Sequence, residues 1–256
     1  MRRNAFLSAC YQNMHMLKLL LLLVAGTFIV QTTVAQAPVA SVKDTVVVQA
    51  GTFIDTVTPE SPLYNGAEHL DYHPQTIGIP YFETLDWVNG TLYTNGLIYK
   101  NVPMKYDLVK DRVVIRHHNG FYKIELVSQQ IDSFSMAGHS FLRLAQNKEL
   151  LIPRMGFYEV VHTPLINLYI KRENRIIEFI DNRTIARRVE ERTQLFADKE
   201  GKRFPINNLN SLLDLMPDHK KGVQRHLKKA GIRYRKNKVL AATTAVTYYN
   251  QLNNVN

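Results

Sequence analysis

Four short stretches hold the residue types that metal, acid–base or nucleophilic chemistry needs. In "EHLDYH", His69 and His73 stand at the i, i+4 spacing that on a helix aims two imidazoles at one zinc ion, with Glu68 or Asp71 nearby. Asn65-Gly66 before them and Pro74 after them argue against a helix, and no third ligand lies at a diagnostic distance, so ordinary loop histidines are expected. His117 and His118 precede the Asn119-Gly120 turn; consecutive side chains on a strand leave opposite faces and share no ion. Ser140 in "GHSF" is similar to a nucleophile elbow, yet Leu142 stands where the second glycine of that motif must let the backbone approach closely. Glu190 and Glu191, adjacent in sequence, would face apart on a strand and form no acid–base pair. No glycine-rich phosphate loop, zinc ribbon or calcium loop accompanies them. The sequence therefore predicts no metal and no cofactor, and assigns no catalytic residue.

The elements around these residues are mostly strands. Val102, Met104, Tyr106 and Leu108 alternate with Pro103, Lys105 and Asp107, the period of two expected when one face is buried and the other wet. Asn95-Gly96, "VKDR" at 109–112 and Asn119-Gly120 separate such runs, and Asn-Gly between alternating segments signals a tight hairpin. The pattern continues through "YKIELV", "SFSM", "SFLRL", "GFYEVV", "LINLYIK" and "RIIEFI", with turns expected at Ala137-Gly138, Gln146-Asn147, Thr163-Pro164 and Glu173-Asn174. A last hairpin joins "RTQLFA" to "KRFPIN". Residues 87–207 should carry about eight to ten strands as a meander that forms a curved sheet, an open barrel or a sandwich. Arg183 to Arg192 suits a charged helix as well as a strand. Residues 62–87, punctuated by Pro and Gly, read as a long ordered loop whose Tyr64, Tyr81, Phe82 and Trp87 pack onto the sheet.

Past Asn207 the period becomes helical. Leu209, Leu212, Leu213 and Met216 form one stripe, Val223, Leu227 and Ala230 a second that Gly231 closes, and Val239, Ala242, Val246 and Tyr249 a third within a helix near 237–252. Helices follow strands instead of alternating with them, so the class is α+β, mainly antiparallel β with two or three short C-terminal helices. The expected divisions are a leader at 1–35, a lead with edge-strand runs at 36–60, an antiparallel β domain at 61–207 and a basic helical segment at 208–256 packed on it.

Charge is concentrated at one end. The chain carries 32 Lys and Arg against 22 Asp and Glu, yet no acidic residue follows Asp218. Lys220, Lys221, Arg225, Lys228, Lys229, Arg233 and Arg235 all lie there and are the candidate polyanion contacts.

At the other end, Arg2, Arg3 and Lys18 precede the apolar run Leu19 to Val30, and Thr33-Val34-Ala35 offers small residues for cleavage. That reads as a cleaved export signal, too short to span a bilayer, which needs roughly 20 residues. The single cysteine, Cys10, precedes the apolar run, so neither a lipid anchor nor a disulfide in the mature chain is expected. The expected location is the periplasm or the outer-membrane surface, without a transmembrane span in the mature chain.

The segments "LYNG" (63–66), "GIPYF" (78–82), "GTLYTNGLIYKNVPMKYDLVKDRVV" (90–114), "GFYEVV" (156–161) and "TYYNQL" (247–252) carry a resemblance to a family of exported proteins found widely in Bacteroidota. The likeness spans most of residues 60–252. It implies export from a Gram-negative cell and no particular reaction, because its motifs are turns and strands, and no functional residue is carried over from it.

These observations suit a non-enzymatic exported binding or envelope-associated module. Its expected partners are anionic lipid, lipopolysaccharide, acidic glycan or an envelope protein; export removes it from cytosolic nucleic acid. The alternatives are an envelope hydrolase with its site in the 62–87 loop, and a carrier of lipid or another apolar ligand.

Overall fold

The computed structural model describes residues 52–54, 57–147 and 152–253. The expected export signal and the run Thr45 to Val48 lie outside them. Among the described residues, thirteen strands form one large curved open sheet, followed by three short C-terminal helices. In chain order the strands are β1 (Thr52–Ile54), β2 (Ala67–Glu68), β3 (Thr76–Ile77), β4 (Val88–Thr94), β5 (Leu97–Asp107), β6 (Arg112–Arg116) and β7 (Lys123–Glu125). They continue as β8 (Ile131–Met136), β9 (His139–Leu144), β10 (Gly156–Val161), β11 (Asn167–Asp181), β12 (Thr184–Lys199) and β13 (Lys202–Pro205). The helices are α1 (Leu209–Leu213), α2 (Lys220–Lys229) and α3 (Lys238–Leu252).

The sheet order is β13-β12-β11-β10-β9-β8-β4-β5-β6-β7-β2. Two antiparallel meanders therefore meet where β8 returns beside β4, although only Leu126 to Gln130 separate β7 from β8. On a flat sheet those two strands would lie about 19 Å apart, four strand spacings. A connection that includes the 3-10 turn Ser128–Gln130 falls short of that span, so the sheet curls. Inside the curl the rings of Tyr106, Phe134, Phe141 and Phe157 meet at centroid distances from 4.6 to 5.9 Å. Such edge-on and offset contacts fill a core with few voids.

The expected alternation holds along β5, where Val102, Met104 and Tyr106 are buried. Asp107 breaks it. It was expected on the wet face, yet it is fully buried, because the 62–87 segment covers that end of β5 and Tyr81 bridges to it. That segment is also less irregular than expected: it contains β2, paired with β7, and β3, laid parallel to β12.

Residues 165–181 depart most from the sequence reading. No turn occurs at Glu173-Asn174; "LINLYIK" and "RIIEFI" belong to one strand, β11, which pairs with β12 along its whole length. Asn174 is held extended because its amide N–H donates to Leu108 O at 2.9 Å and its Nδ2 to Ile79 O at 3.0 Å. The reversal comes instead at Asn182 and Arg183, both at positive φ. Of the ambiguous segment Arg183 to Arg192, all but Arg183 is strand, and the distal half of this hairpin contains no buried residue from Arg175 to Arg192.

A second core forms where α1–α3 cover the proximal halves of β11 and β12, with Leu168, Ile170 and Leu195 against Leu212, Leu227 and Val246. Asn208 and Ser211 form a capping box at α1, and Asn237 caps α3 by accepting from Leu240 N. Gly231, at φ +69°, ends α2 as expected: its N–H donates to Lys228 O and that of Ile232 to Leu227 O. No described helix is long and apolar enough to cross a membrane.

Candidate functional site

The densest set of chemistry-bearing side chains lies beneath the 62–87 segment. Asp107 ends β5, and its Oδ1 accepts the amide N–H groups of Val109 and Lys110, which shapes the turn into β6. The same carboxylate accepts the Tyr72 hydroxyl at 2.7 Å. His69 sits between Glu125, 2.9 Å from its Nδ1, and the Tyr81 hydroxyl, 2.7 Å from its Nε2. Lys110 completes the group with its Nζ 2.5 Å from Glu125. Burial, reinforced by the Asp107 carboxylate, pushes the Tyr72 phenol far above its ordinary value, and burial does the same to Tyr81. Both hydroxyls are thereby kept neutral. Glu125 is raised by burial but held lower overall by its bonds to Lys110 and His69.

This glutamate–histidine–tyrosine chain has the composition of a proton relay but not the access. The His69 side chain is 1% exposed with both ring nitrogens engaged, so no substrate atom reaches it. Its effect is to fasten the 62–87 segment to β5 and β7. His73 is exposed and apart from it, and no cluster of three potential metal ligands occurs among the described residues. Sequence reading missed Asp107 and Glu125 as members of this network. The signal available was an aspartate at a strand end just before a turn, where its carboxylate can accept two backbone amides.

The other candidates sort by backbone. Ser140 lies within β9, in extended conformation, and so has no elbow geometry. Its neighbour His139 places Nδ1 2.7 Å from the buried Glu159, which also receives Arg172, and Nε2 3.5 Å from Glu83. His117 and His118 differ from expectation. β6 stops at Arg116, so both lie in the turn and escape the strand alternation; their rings are 4.2 Å apart and both meet Tyr64. Glu190 and Glu191 are consecutive residues of β12.

The basic C-terminal residues divide between α2 and the segment that follows it. Val223 and Leu227 are buried, and on the opposite side Lys221, Arg225 and Lys228, at i, i+4 and i+7, form an exposed stripe flanked by Lys229. Lys220 turns away to Asp214 at 2.5 Å. Arg233 and Arg235 are exposed in the turn between α2 and α3. None of Lys221, Arg225, Lys228, Lys229, Arg233 and Arg235 forms an ion pair with a described residue. The helix is fixed in orientation by His226, whose ring stacks on Tyr248 at 3.9 Å, as well as by its apolar stripe.

The chain matches no family model, no curated protein and no solved structure.

Proposed function

We propose that this protein is an exported, non-enzymatic binding module of a Gram-negative envelope that docks on a polyanionic surface through α2. The observation that carries this reading is the exposed Lys221, Arg225, Lys228 and Lys229 set on a helix whose other side is anchored in a core. A rigid array of cations without carboxylate partners gains energy only when an external anion approaches. Anionic lipid, lipopolysaccharide and acidic glycan are the polyanions an exported protein meets. The closed His69 network supports a binding role over a hydrolytic one, and the ring-filled interior supports it over a carrier.

The test is flotation with phosphatidylcholine vesicles with and without phosphatidylglycerol, using the parent chain and the Lys221→Gln, Arg225→Gln, Lys228→Gln, Lys229→Gln variant. Each cation near an anionic surface contributes on the order of 1 kcal/mol, so loss of four should weaken binding to anionic vesicles about a thousandfold. Binding of the parent should fade as salt shortens the Debye length. Equal retention of both proteins at low salt would remove the proposal.

A further inference from the structure

A second convergence of cations lies on different elements. Pairing of β4 with β5 slips between Gly90 and Leu92, so Lys100 and Asn101 stand in a bulge, Asn101 at φ +55°. A bulge re-aims side chains that a regular ladder would hold in alternation. Here it brings both residues to an open cleft of about 450 Å³ whose other walls include Tyr64, Arg116, His117 and His118. None of the described residues lining this cleft is acidic. Its volume is in the range of small-molecule sites, about 300–1,000 Å³.

The two imidazoles are packed against neighbours, and the guanidinium lies beside a turn. Tyr64 braces the imidazoles, its ring 4.3 Å from His117 and 5.7 Å from His118. The Arg116 guanidinium lies across the Asn119-Gly120 turn, with Nη2 3.5 Å from the point a Cβ on Gly120 would occupy. Asn119 fixes that turn by accepting the Phe121 amide at 3.0 Å. The result is a planar fork of N–H donors, two imidazole rings, of which His117 accepts the Asn119 amide at Nδ1, and two side-chain amides that line one space. A carboxylate presents two oxygens and would leave donors unmatched; a tetrahedral oxyanion presents three or four.

We propose that this cleft binds a phosphate or sulfate group, with Arg116 as the bidentate fork, His117 and His118 as further N–H donors and the Tyr64 ring as a wall for the group that carries the anion. The site is separate from α2 and does not depend on the role assigned to that helix. A free oxyanion and a lipid headgroup share this chemistry, so two arms are needed: isothermal titration of the full chain with inorganic phosphate, and flotation with phosphatidylcholine vesicles with or without phosphatidic acid. Arg116 and His118 are exposed, so Arg116→Gln with His118→Gln should keep the parent's thermal midpoint. Saturable binding in the titration assigns a soluble ligand; no titration signal, with flotation of the four-glutamine α2 variant on phosphatidic acid vesicles, assigns a headgroup. In the first case the double variant should lose about tenfold in affinity while the four-glutamine α2 variant keeps its titration with phosphate; in the second, adding Arg116→Gln and His118→Gln to the α2 variant should weaken its flotation about tenfold. The inference is overturned if the parent binds in neither arm, if the double variant binds like the parent, or if only the α2 variant loses binding.

Discussion

Glu125 shows how one carboxylate can link a loop, a strand and the response to acid. Its folded-state value lies below the ordinary 4.5 because Lys110 and His69 together outweigh burial. A carboxylate depressed on folding contributes stability that is complete above its unfolded value and is lost as pH falls through its folded value. The thermal midpoint should therefore drop as pH is lowered from about 4.5. Lys110→Gln removes the first of the two hydrogen-bond partners that lower the carboxyl, so the variant should be less stable at neutral pH and lose less on acidification. The neutral-pH cost should be about 0.5 kcal/mol, because solvent around the half-exposed lysine screens the pair. Midpoints of both proteins measured from pH 3 to pH 7 would check this; parallel curves would show that the pair does not respond to acid.

Among the helices, α2 contains a glycine that no special backbone requires. Gly222 lies inside the helix, and a Cβ there would meet only Leu252 Cδ1, at an ordinary 3.6 Å. Glycine costs a helix interior about 0.8–1 kcal/mol relative to alanine. Gly222→Ala should raise the urea midpoint with an unchanged slope, by an amount worth about 0.5–1 kcal/mol. A lowered midpoint would mean that Leu252 cannot accommodate the methyl group. The end of α2 at Gly231 was read beforehand, since a positive φ acts locally, whereas Asn237 was read only as the approximate start of the last helix and its capping contact came from the structure. The course of β11 was not readable. Asn174 has turn propensity, but bonds to Leu108 and Ile79, 66 and 95 residues away by the numbering, hold it extended.

At the scale of the whole sheet, a buried ion pair links distant strands across the curl. Lys171 on β11 is 2% exposed; its ammonium reaches Asp111 Oδ2 at 2.6 Å and Phe157 O at 3.1 Å, while Tyr106 donates to the same carboxylate. This joins the β5–β6 turn to β10 and β11 across the interior. Lys171→Met should cost about 3 kcal/mol, because it leaves a carboxylate without its cation. Adding Asp111→Asn should recover part of that loss, a non-additivity that urea unfolding of the parent, both single variants and the double variant would measure. Full additivity would mean that the two residues act separately.

Local chemistry, legible in the sequence, decided the strand grammar, the Asn-Gly reversals, the end of α2 and the separation of cations from carboxylates after Asp218. These depend on φ preferences, hydrophobic period and charge within a few residues. Tertiary structure alone decided that Asp107 is buried, that His69 is closed to solvent, and that Arg116, His117 and His118 share a cleft with a bulge from β5. Each of those outcomes depends on which distant segment covers or faces a residue, and curling of the sheet, not the spacing along the chain, sets that.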